Sequence, residues 1–311
     1  MKVLVTGGAG FIGSYVAAAH LRAGHHVVVV DDLSSGRVEN IPDGAVFEQL
    51  DITTDALDAL MDRERFHIVN HHAAHMELRV SVERPLHDAE INLLGSLRLL
   101  EASRRTSVQH VVLASTGGAM YGEQEYFPAD EVHAVRPMSP YAISKRSMEL
   151  YADYYRAVHG LSSTVLRYTN VYGPRQNPYG EAGVIAIFLN KWLTGAIPTV
   201  NGDGMQTRDY IHAEDVAHAN IIVATQRLQG IYNCSTGVET SLNDLISMLQ
   251  ADLGGERPLA HGPAKLGEVT RSAATAARLH AATGWQPEIA LRDGIRQTTA
   301  WFVERVTSKQ S

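Results

Sequence analysis

The most restrictive feature of this sequence is a glycine-rich segment that directly follows a short apolar run. Val3–Val5 has the pattern of a strand, and residues 11–23 have the pattern of a helix. Between them, Gly7, Gly10 and Gly13 have the spacing GxxGxxG. Glycine is needed where a turn is tight and where backbone must approach a pyrophosphate closely. The following helix N-terminus offers free N–H groups to phosphate. The segment therefore predicts a strand–turn–helix unit that binds a dinucleotide.

An acidic residue lies where such a unit needs one. Asp31 ends the second apolar run, Val27–Val30, and a carboxylate about 20 residues after the glycines is the expected partner of a ribose. It accepts hydrogen bonds from the adenosine ribose hydroxyls and repels a 2′-phosphate, which favours NAD over NADP. The neighbouring Asp32 is an alternative, and Asp31 is the favoured candidate.

Further apolar runs alternate with a helical pattern. His67–Val69 and Val111–Ala114 resemble strands buried on both faces, and Ala89–Arg104 between them has helical periodicity. Strand, helix and strand in series predict an α/β fold with a Rossmann-type doubly wound parallel sheet. Asp51–Ile52 follows another short run, where Asp51 could equally contact adenine or serve as a helix N-cap.

The second half of the chain has a different pattern. After about residue 170, glycine and proline interrupt the chain repeatedly, which is typical of loops and short helices that cover a site. Residues 215–226 and 242–253 have helical patterns, whereas residues 231–234 resemble a strand that returns to the first sheet.

The length of 311 residues fits about two domains. We predict a Rossmann-type NAD-binding domain over residues 1–169, with return segments near residues 209–235. A smaller C-terminal α/β domain, mainly residues 170–311, is predicted to bind substrate and to be interleaved with the first.

Composition and charge exclude several classes of protein. The formal net charge of −7 argues against a nucleic-acid or membrane-surface binder, which would carry a basic field. The one cysteine, Cys234, can form neither an internal disulfide nor a cysteine-based zinc site. No apolar stretch approaches the length of a membrane span, and no signal peptide is visible at the N-terminus. We therefore expect a soluble, cytoplasmic protein with no nucleic-acid or membrane partner.

A tyrosine and a lysine share one face of another predicted helix. Ser139 and Pro140 have the character of an N-cap and a first helical residue, so Tyr141 and Lys145 lie one turn apart. A free phenol has a pKa near 10, and a nearby ammonium favours the phenolate. Together with a nicotinamide cation, Lys145 is expected to lower the pKa of Tyr141 enough for proton exchange with a substrate hydroxyl.

Two hydroxyls follow the predicted strand Val111–Ala114. Ser115 and Thr116 lie at the carboxyl end of a parallel strand, where ligands bind in such sheets. Either could hydrogen-bond a reacting hydroxyl.

Three histidines suggest a metal site only superficially. His71 and His72 are adjacent, so on a strand their side chains point to opposite faces. His75 adds no carboxylate pattern to them. We predict no metal site, and packing beside the cofactor accounts better for these residues.

The glycine segment, Asp31, Ser115–Thr116 and the Tyr141–Lys145 pair resemble the extended short-chain dehydrogenase/reductase family. Within it, the chain is most similar to the branch of UDP-glucose (UDP-galactose) 4-epimerases, and the likeness covers nearly the whole chain. The other segments that carry this resemblance are His71–Ala74, Arg79–Ser81, Asn92–Gly95, Arg167–Gln176, Gly180–Val184 and Arg208–His212.

The resemblance implies roles for particular residues. The implied catalytic residues are Tyr141, Lys145, Thr116 and Ser115, with Thr116 as the favoured hydroxyl. The implied NAD-binding residues are Gly7, Gly10, Phe11, Ile12, Gly13, Asp31, Asp51, Ile52, Ala73, Ala74, Asn92, Tyr141, Lys145 and Tyr168. The implied substrate-binding residues are Asn170, Val184, Arg208, Lys265, Glu268, Arg271 and Ser272. Lys265 and Glu268 stand where the family usually has Arg and Asp.

The activity implied by the resemblance is NAD-dependent inversion at C4 of a UDP-hexose through a 4-keto intermediate. A small Ser272 suggests that N-acetylhexosamines also fit. A UDP-uronate 4-epimerase is the nearest alternative, although the neutral Asn177 favours a neutral hexose. Gly117 and Gly118 argue against a 4,6-dehydratase, which usually has an acidic pair there. A non-catalytic NAD-binding regulator is the alternative of another class. Relatives are often homodimers, which here would use residues 89–104 and 141–159.

Overall fold

The computed structural model describes residues 1–179, 183–264 and 269–308. The strands are β1 (Lys2–Thr6), β2 (His26–Asp31), β3 (Val46–Gln49), β4 (Ile68–His71), β5 (His110–Thr116), β6 (Ser163–Tyr168), β7 (Asn170–Tyr172), β8 (Thr199–Asn201), β9 (Thr207–His212), β10 (Gly230–Cys234), β11 (Glu239–Ser241), β12 (Ala260–Gly262) and β13 (Arg271–Ser272). The α-helices are α1 (Phe11–Arg22), α2 (Asp55–Glu64), α3 (Leu78–Glu83), α4 (Pro85–Ala89), α5 (Ser96–Arg105), α6 (Pro140–His159), α7 (Val184–Leu193), α8 (Ala213–Gln226), α9 (Leu242–Asp252), α10 (Ala277–Thr283) and α11 (Leu291–Ser308).

Seven parallel strands form the central sheet in the order β3-β2-β1-β4-β5-β6-β10. Successive residues of a strand point to opposite faces, so the apolar run of β1 contributes to two cores. Val3 and Val5 pack in the core that includes α1 and α8, whereas Leu4 packs in the core that includes α2, α5 and α6. Burial on both faces explains why this strand is almost uniformly apolar. The predicted doubly wound Rossmann-type sheet is confirmed.

The strand order reverses between β1 and β4, because the chain runs outward to β2 and β3 before it returns. In such sheets the crevice at this reversal, beyond the carboxyl ends of the strands, is the usual ligand site. Gly7 follows β1 and His72 follows β4, so the glycine segment borders this crevice.

The remaining strands form two small sheets. β9 lies between β11 and β13 and also pairs with β7, while β8 pairs with β12. A third core joins α7, α9 and α11 through residues such as Trp192, Leu245 and Phe302. The chain then returns from β9 through α8 to β10, which pairs with β6 at the edge of the large sheet.

The region predicted as one helix, Ala89–Arg104, is not a single α-helix in the structure. It consists of the end of α4, a π-helical segment over Glu90–Gly95 and α5. The Asn92 side chain in the π-helical segment bonds the backbone of His75, and π-helical turns often occur where a helix is shaped around a site. None of the helices that the structure describes is long and apolar enough to span a membrane.

Candidate active site

The glycine segment forms a cradle that side chains would fill. Gly7 has φ +68°, and a Cβ on it would lie 2.6 Å from the Ala73 nitrogen. A Cβ on Gly13 would lie 2.1 Å from the Gly7 carbonyl oxygen. Helix α1 receives no side-chain cap from the described residues, so the N–H groups of Phe11, Ile12 and Gly13 have no intrahelical partner. This donor set fits a pyrophosphate group.

Asp31 is held at the end of β2 by backbone. It is 6% exposed, and its carboxylate oxygens accept from the N–H groups of Ala9 (3.0 Å) and Leu33 (2.9 Å). Burial raises the pKa of Asp31 above its usual range, against those backbone bonds. A carboxylate has about four acceptor positions, and backbone N–H groups of Ala9, Leu33 and Gly10 use part of them, so acceptor capacity remains for a ribose hydroxyl. The Asp32 carboxylate is exposed and accepts from the N–H and hydroxyl of Ser34 instead, which favours Asp31.

Asp51 and Ile52 follow β3, the strand that pairs with β2. Asp51 accepts from the N–H and hydroxyl of Thr53, and the N-cap of α2 is Thr54. The N-cap interpretation of Asp51 is therefore wrong, because the carboxylate closes the turn before the helix. Ile52 is buried in the core beside Gly95.

The segment after β4 completes the crevice. The Ala73 N–H donates to the Thr6 hydroxyl (3.2 Å), which holds Ala73 against Gly7, and Ala74 follows it. Asn92 is fully buried and holds His75 by two bonds, from the His75 N–H (2.9 Å) and to the His75 carbonyl (2.8 Å).

The catalytic candidates lie on the first turns of α6. Ser139 caps the helix by accepting from the Ala142 N–H (3.2 Å), and Pro140 is its first residue, as predicted. The Lys145 Nζ donates to the Ala114 carbonyl of β5 (3.0 Å) and lies 6.0 Å from the centre of the Tyr141 ring. The helix therefore places Tyr141 at the carboxyl end of β5.

The electrostatics of this pair are dominated by burial. Burial raises the pKa of Tyr141 well above its ordinary value, and the nearby Asp88 raises it further. Burial lowers the pKa of Lys145 to about 8, while Asp88 and Glu149 oppose that change. The lowered pKa was predicted for Lys145 acting together with a nicotinamide cation, so it stays a prediction for the NAD-bound protein; in the protein alone, burial and Asp88 set the pKa of Tyr141.

The two candidate hydroxyls point in opposite directions from β5. Ser115 is buried and donates to Glu149 (2.7 Å), whose carboxylate also accepts two bonds from Arg167. Thr116 is half-buried, and its hydroxyl accepts from the Ala119 N–H (3.1 Å). Ser115 therefore belongs to the buried network that supports α6, whereas Thr116 lies on the other face of the strand, at its carboxyl end.

Tyr168 and Asn170 border the crevice from the next strands. The Tyr168 ring stacks parallel to His72 at 6.2 Å, and its hydroxyl bonds Asn220. A Cβ on Gly118 would lie 3.6 Å from the Asn170 Oδ1, so Asn170 lies against the turn that follows Thr116.

Two candidate arginines lie on opposite faces of the small sheet. Ser272 pairs with Arg208 across the ladder, and Arg271 pairs with Thr207. Paired residues point to the same face and neighbours to opposite faces, so Ser272 shares a face with Arg208 and Arg271 does not. Arg271 is bound to Glu239 and lies over the Phe127 ring at 3.9 Å. The structure does not bring Arg271 together with Arg208.

Val184, Lys265 and Glu268 are the other three candidates for substrate binding. Val184 begins α7, and Lys265 and Glu268 lie outside the described residues.

Two buried acids were missed by sequence reasoning. Asp88 and Glu149 are 1% and 0% exposed. The sequence spacing points to each of them, because Asp88 precedes Asn92 by four residues and Glu149 follows Lys145 by four. Residues four apart share a helix face, so both acids could have been assigned to the site's surroundings.

Burial lowers the pKa of both His71 and His72, so these two histidines are neutral. His71 bonds the hydroxyls of Thr6 and Ser96, and burial lowers the pKa of His72 to about 3. Within the described ranges, no group of three or more His, Cys, Asp or Glu residues could hold a metal ion.

Comparisons with known proteins agree with this geometry. The family described as "NAD dependent epimerase/dehydratase family" matches residues 3–235. A putative UDP-glucose 4-epimerase of Methanocaldococcus jannaschii is 40% identical over 300 residues, which is 96% of this chain and 98% of that protein.

Solved structures are similar over the full length. The UDP-glucose 4-epimerase of Thermotoga maritima with UDP-glucose has a TM-score of 0.94 at 40% identity, covering 98% of this chain and all of that one. The Thermus thermophilus UDP-glucose 4-epimerase in complex with NAD has a TM-score of 0.92 at 41% identity, covering 97% and 99%. With the glycine cradle, Asp31 and the Tyr141–Lys145 pair in place, this chain belongs to the NAD dependent epimerase/dehydratase family.

Proposed function

We propose that this protein is an NAD-dependent 4-epimerase of a UDP-hexose, with UDP-glucose and UDP-galactose as its substrates. The observation that carries this proposal is the position of Tyr141. Lys145 ties its helix to β5, the half-buried Thr116 ends the same strand, and Asn170 lies against the next turn. Tyr141, the proton-exchanging group, is thus held at the carboxyl ends of the parallel strands, where ligands bind in such sheets.

The chain's residues divide the work of the reaction. The Tyr141 phenolate takes the proton of the sugar 4-hydroxyl, and Thr116 orients that hydroxyl by a hydrogen bond. NAD+, when bound, supplies the acceptor for the C4 hydride and a positive charge that favours the phenolate. The 4-keto sugar turns about its pyrophosphate linkage, and return of the hydride and proton on the other face gives the 4-epimer.

The diphosphate must remain bound while the sugar turns. Arg208 suits this task because its planar guanidinium bonds two phosphate oxygens at once, and Asn170 adds an amide beside the reacting end. Arg271 is already bound to Glu239, so we do not assign it a contact with the diphosphate.

The first test is conversion of UDP-glucose, UDP-GlcNAc and UDP-glucuronate, each supplied separately without added NAD. We expect the 4-epimer of UDP-glucose, from NAD retained through purification, and conversion that is slower by about 10²- to 10⁴-fold with the Tyr141→Phe variant. Conversion of UDP-glucuronate alone would favour a uronate epimerase. Failure of all three with NAD supplied would favour another nucleotide sugar or a non-catalytic regulator.

A second substrate class follows from Ser272. This small side chain is 5% exposed and shares a face with Arg208, so it leaves room beside the proposed diphosphate contact. We propose that UDP-GlcNAc and UDP-GalNAc are also accepted. A Ser272→Tyr variant should lose them while it retains UDP-glucose.

We also propose that the protein acts as a cytoplasmic homodimer. Ile143, Leu150, Tyr154 and Val158 form an exposed apolar stripe along α6, and Leu94 of the π-helical segment is exposed as well. Exposed stripes of this kind mark interfaces. Light scattering should give a dimer, and a Leu150→Glu, Val158→Glu variant should be a monomer.

A further inference from the structure

Asp88 is a buried acid beside the catalytic helix to which the proposed reaction gives no task. Its carboxylate is 1% exposed and lies on α4, between α6 and the π-helical segment. It accepts from the Ser144 hydroxyl (2.7 Å) and from the Asn92 side-chain amide (2.7 Å). Both donors are neutral groups. A buried carboxylate is costly to desolvate, so its presence needs an explanation.

The two bonds connect both sides of the site. Ser144 directly precedes Lys145 and is three residues after Tyr141. Asn92 in turn holds the backbone of His75, in the segment that follows β4 and borders the crevice. The carboxylate therefore joins the helix that carries the proton-exchanging group to the segment that borders the cofactor.

We propose that Asp88 is a positioning residue of the reaction, which fixes α6 against the Asn92 segment and places one buried negative charge beside Tyr141 and Lys145. This inference deepens the proposed epimerase function and rests on it.

The Asp88 carboxylate shifts the pKa values of Tyr141 and Lys145 in the same direction. Asp88 raises the pKa of Tyr141 in addition to the effect of burial. It also raises the pKa of Lys145, with Glu149, against the lowering by burial. Loss of the charge must therefore lower both pKa values.

Other ionisable groups lie on the elements packed around α4, but they do not replace this charge. Glu149 of α6 is already paired with Arg167 and Arg146. Around α3, α4 and the π-helical segment, the other ionisable residues are the exposed Glu77, Arg79, Glu83, Arg84 and Glu90 and the half-buried His87, and the half-buried His75 lies before α3. Farther along α6, Asp153 and Arg156 pair with each other, and Tyr151, Tyr154, Tyr155 and His159 also follow Glu149.

The Asp88→Asn variant separates charge from geometry. Asn92 cannot reverse its amide, because both ends already bond His75. An asparagine at 88 would turn its oxygen toward the Asn92 amide and its NH2 toward Ser144, whose hydroxyl can accept. Both bonds are kept and only the charge is lost. Ser144→Ala is the matched control, since it removes one bond and keeps the charge.

Two measurements test the proposal on the protein as purified. In Asp88→Asn, both limbs of the kcat/KM–pH profile should move toward lower pH, by about half a unit or more. In NMR of 13C-lysine-labelled protein, the Lys145 Cε signal, identified among five lysines by its loss in Lys145→Arg, should titrate at lower pH than in the wild type. Ser144→Ala should lower kcat about threefold to tenfold with both limbs and the NMR midpoint unmoved.

Unmoved limbs and an unmoved Lys145 titration in a folded Asp88→Asn protein would overturn the proposal. So would an Asp88→Asn protein that fails to fold, because the carboxylate would then serve the fold alone. The NMR titration does not depend on turnover, so a wrong substrate assignment and a wrong role for Asp88 give different results.

Discussion

The cofactor side and the substrate side of the crevice are built differently. On the cofactor side, the polar groups are buried and held by backbone, as Asp31 is by Ala9 and Leu33. On the substrate side, Arg208 lies on β9 of the small sheet, whose neighbouring strands are only two or three residues long. Arg271 is bound to another side chain, Glu239. A site preorganised by backbone binds at a lower entropic cost than one made of long side chains. The difference suits the proposed reaction, in which the cofactor stays bound through many turnovers and the sugar turns within each one.

The largest effect is expected where the two sides meet. Tyr141→Phe removes the proton-exchanging group, so kcat should fall about 10²- to 10⁴-fold. Tyr151→Phe, on an outward part of the same helix, is the matched control and should retain activity. Bound NAD, measured by absorbance after denaturation, should be unchanged in both. Appreciable turnover by Tyr141→Phe would show that another group moves the proton.

The next prediction compares the two faces of the small sheet. Arg208→Gln removes charge-assisted bonds to the diphosphate, so KM for the UDP-sugar should rise about 10- to 100-fold. Arg271→Gln should raise KM less than about threefold, because its guanidinium is bound to Glu239 on the opposite face. Steady-state kinetics on both variants decide this. Equal increases would mean that Arg271 leaves Glu239 when substrate binds.

The cofactor side can be tested at its acid. Asp31→Asn should weaken NAD binding about tenfold, since a charged acceptor for the ribose hydroxyls becomes a neutral one. Asp32→Asn should leave the affinity unchanged, because that carboxylate is used by Ser34. Calorimetry on protein stripped of NAD measures both. A larger loss in Asp32→Asn would reverse the assignment.

The smallest effect is expected at a buried group remote from both sides. Burial, with a smaller contribution from Arg227, lowers the pKa of His110 to about 4, below the unfolded value near 6.5. His110 therefore stabilises the fold above pH 6.5, and that stability is lost as pH falls toward 4, by at most about 1.4 kcal/mol per pH unit.

The matched variant is His110→Asn, which keeps a polar group beside Ser162, the partner of the His110 Nδ1, and has no titratable ring. Urea unfolding at several pH values should show a gap between wild type and variant that narrows from pH 7 to pH 4.5. A constant gap would contradict the assignment, and kcat should not change in the variant.

The fold was predictable because its strands are buried on both faces and its turns need glycine. Val27–Val30 and Gly7 carry that information locally. The break of residues 89–104 into α- and π-helical parts was not predictable, and it occurs where Asn92 bonds the backbone of His75, which lies 17 residues earlier. Helical periodicity does not report such tertiary contacts.

The site was predictable in its residues and less so in their electrostatics. Tyr141 and Lys145 occupy one helix turn as their spacing requires, but the pKa of the phenol depends on burial and on Asp88. Likewise, Ser115 and Thr116 are equivalent as sequence letters. Only the alternation of β5 sends Ser115 to Glu149. Three-dimensional packing decides which of two adjacent polar residues reaches a crevice.

The late position of β10 has a consequence for how the chain is made. Strand β6 is complete at residue 168, but the strand that covers its edge, β10, ends at residue 234. During synthesis at roughly 5–20 residues per second, that edge stays open for several seconds while the small sheet is being translated. An uncovered parallel edge is a template for pairing with other chains. Release of a fragment that ends near residue 170 should therefore favour aggregation, and the nascent chain depends on continued elongation or on a chaperone to protect that edge.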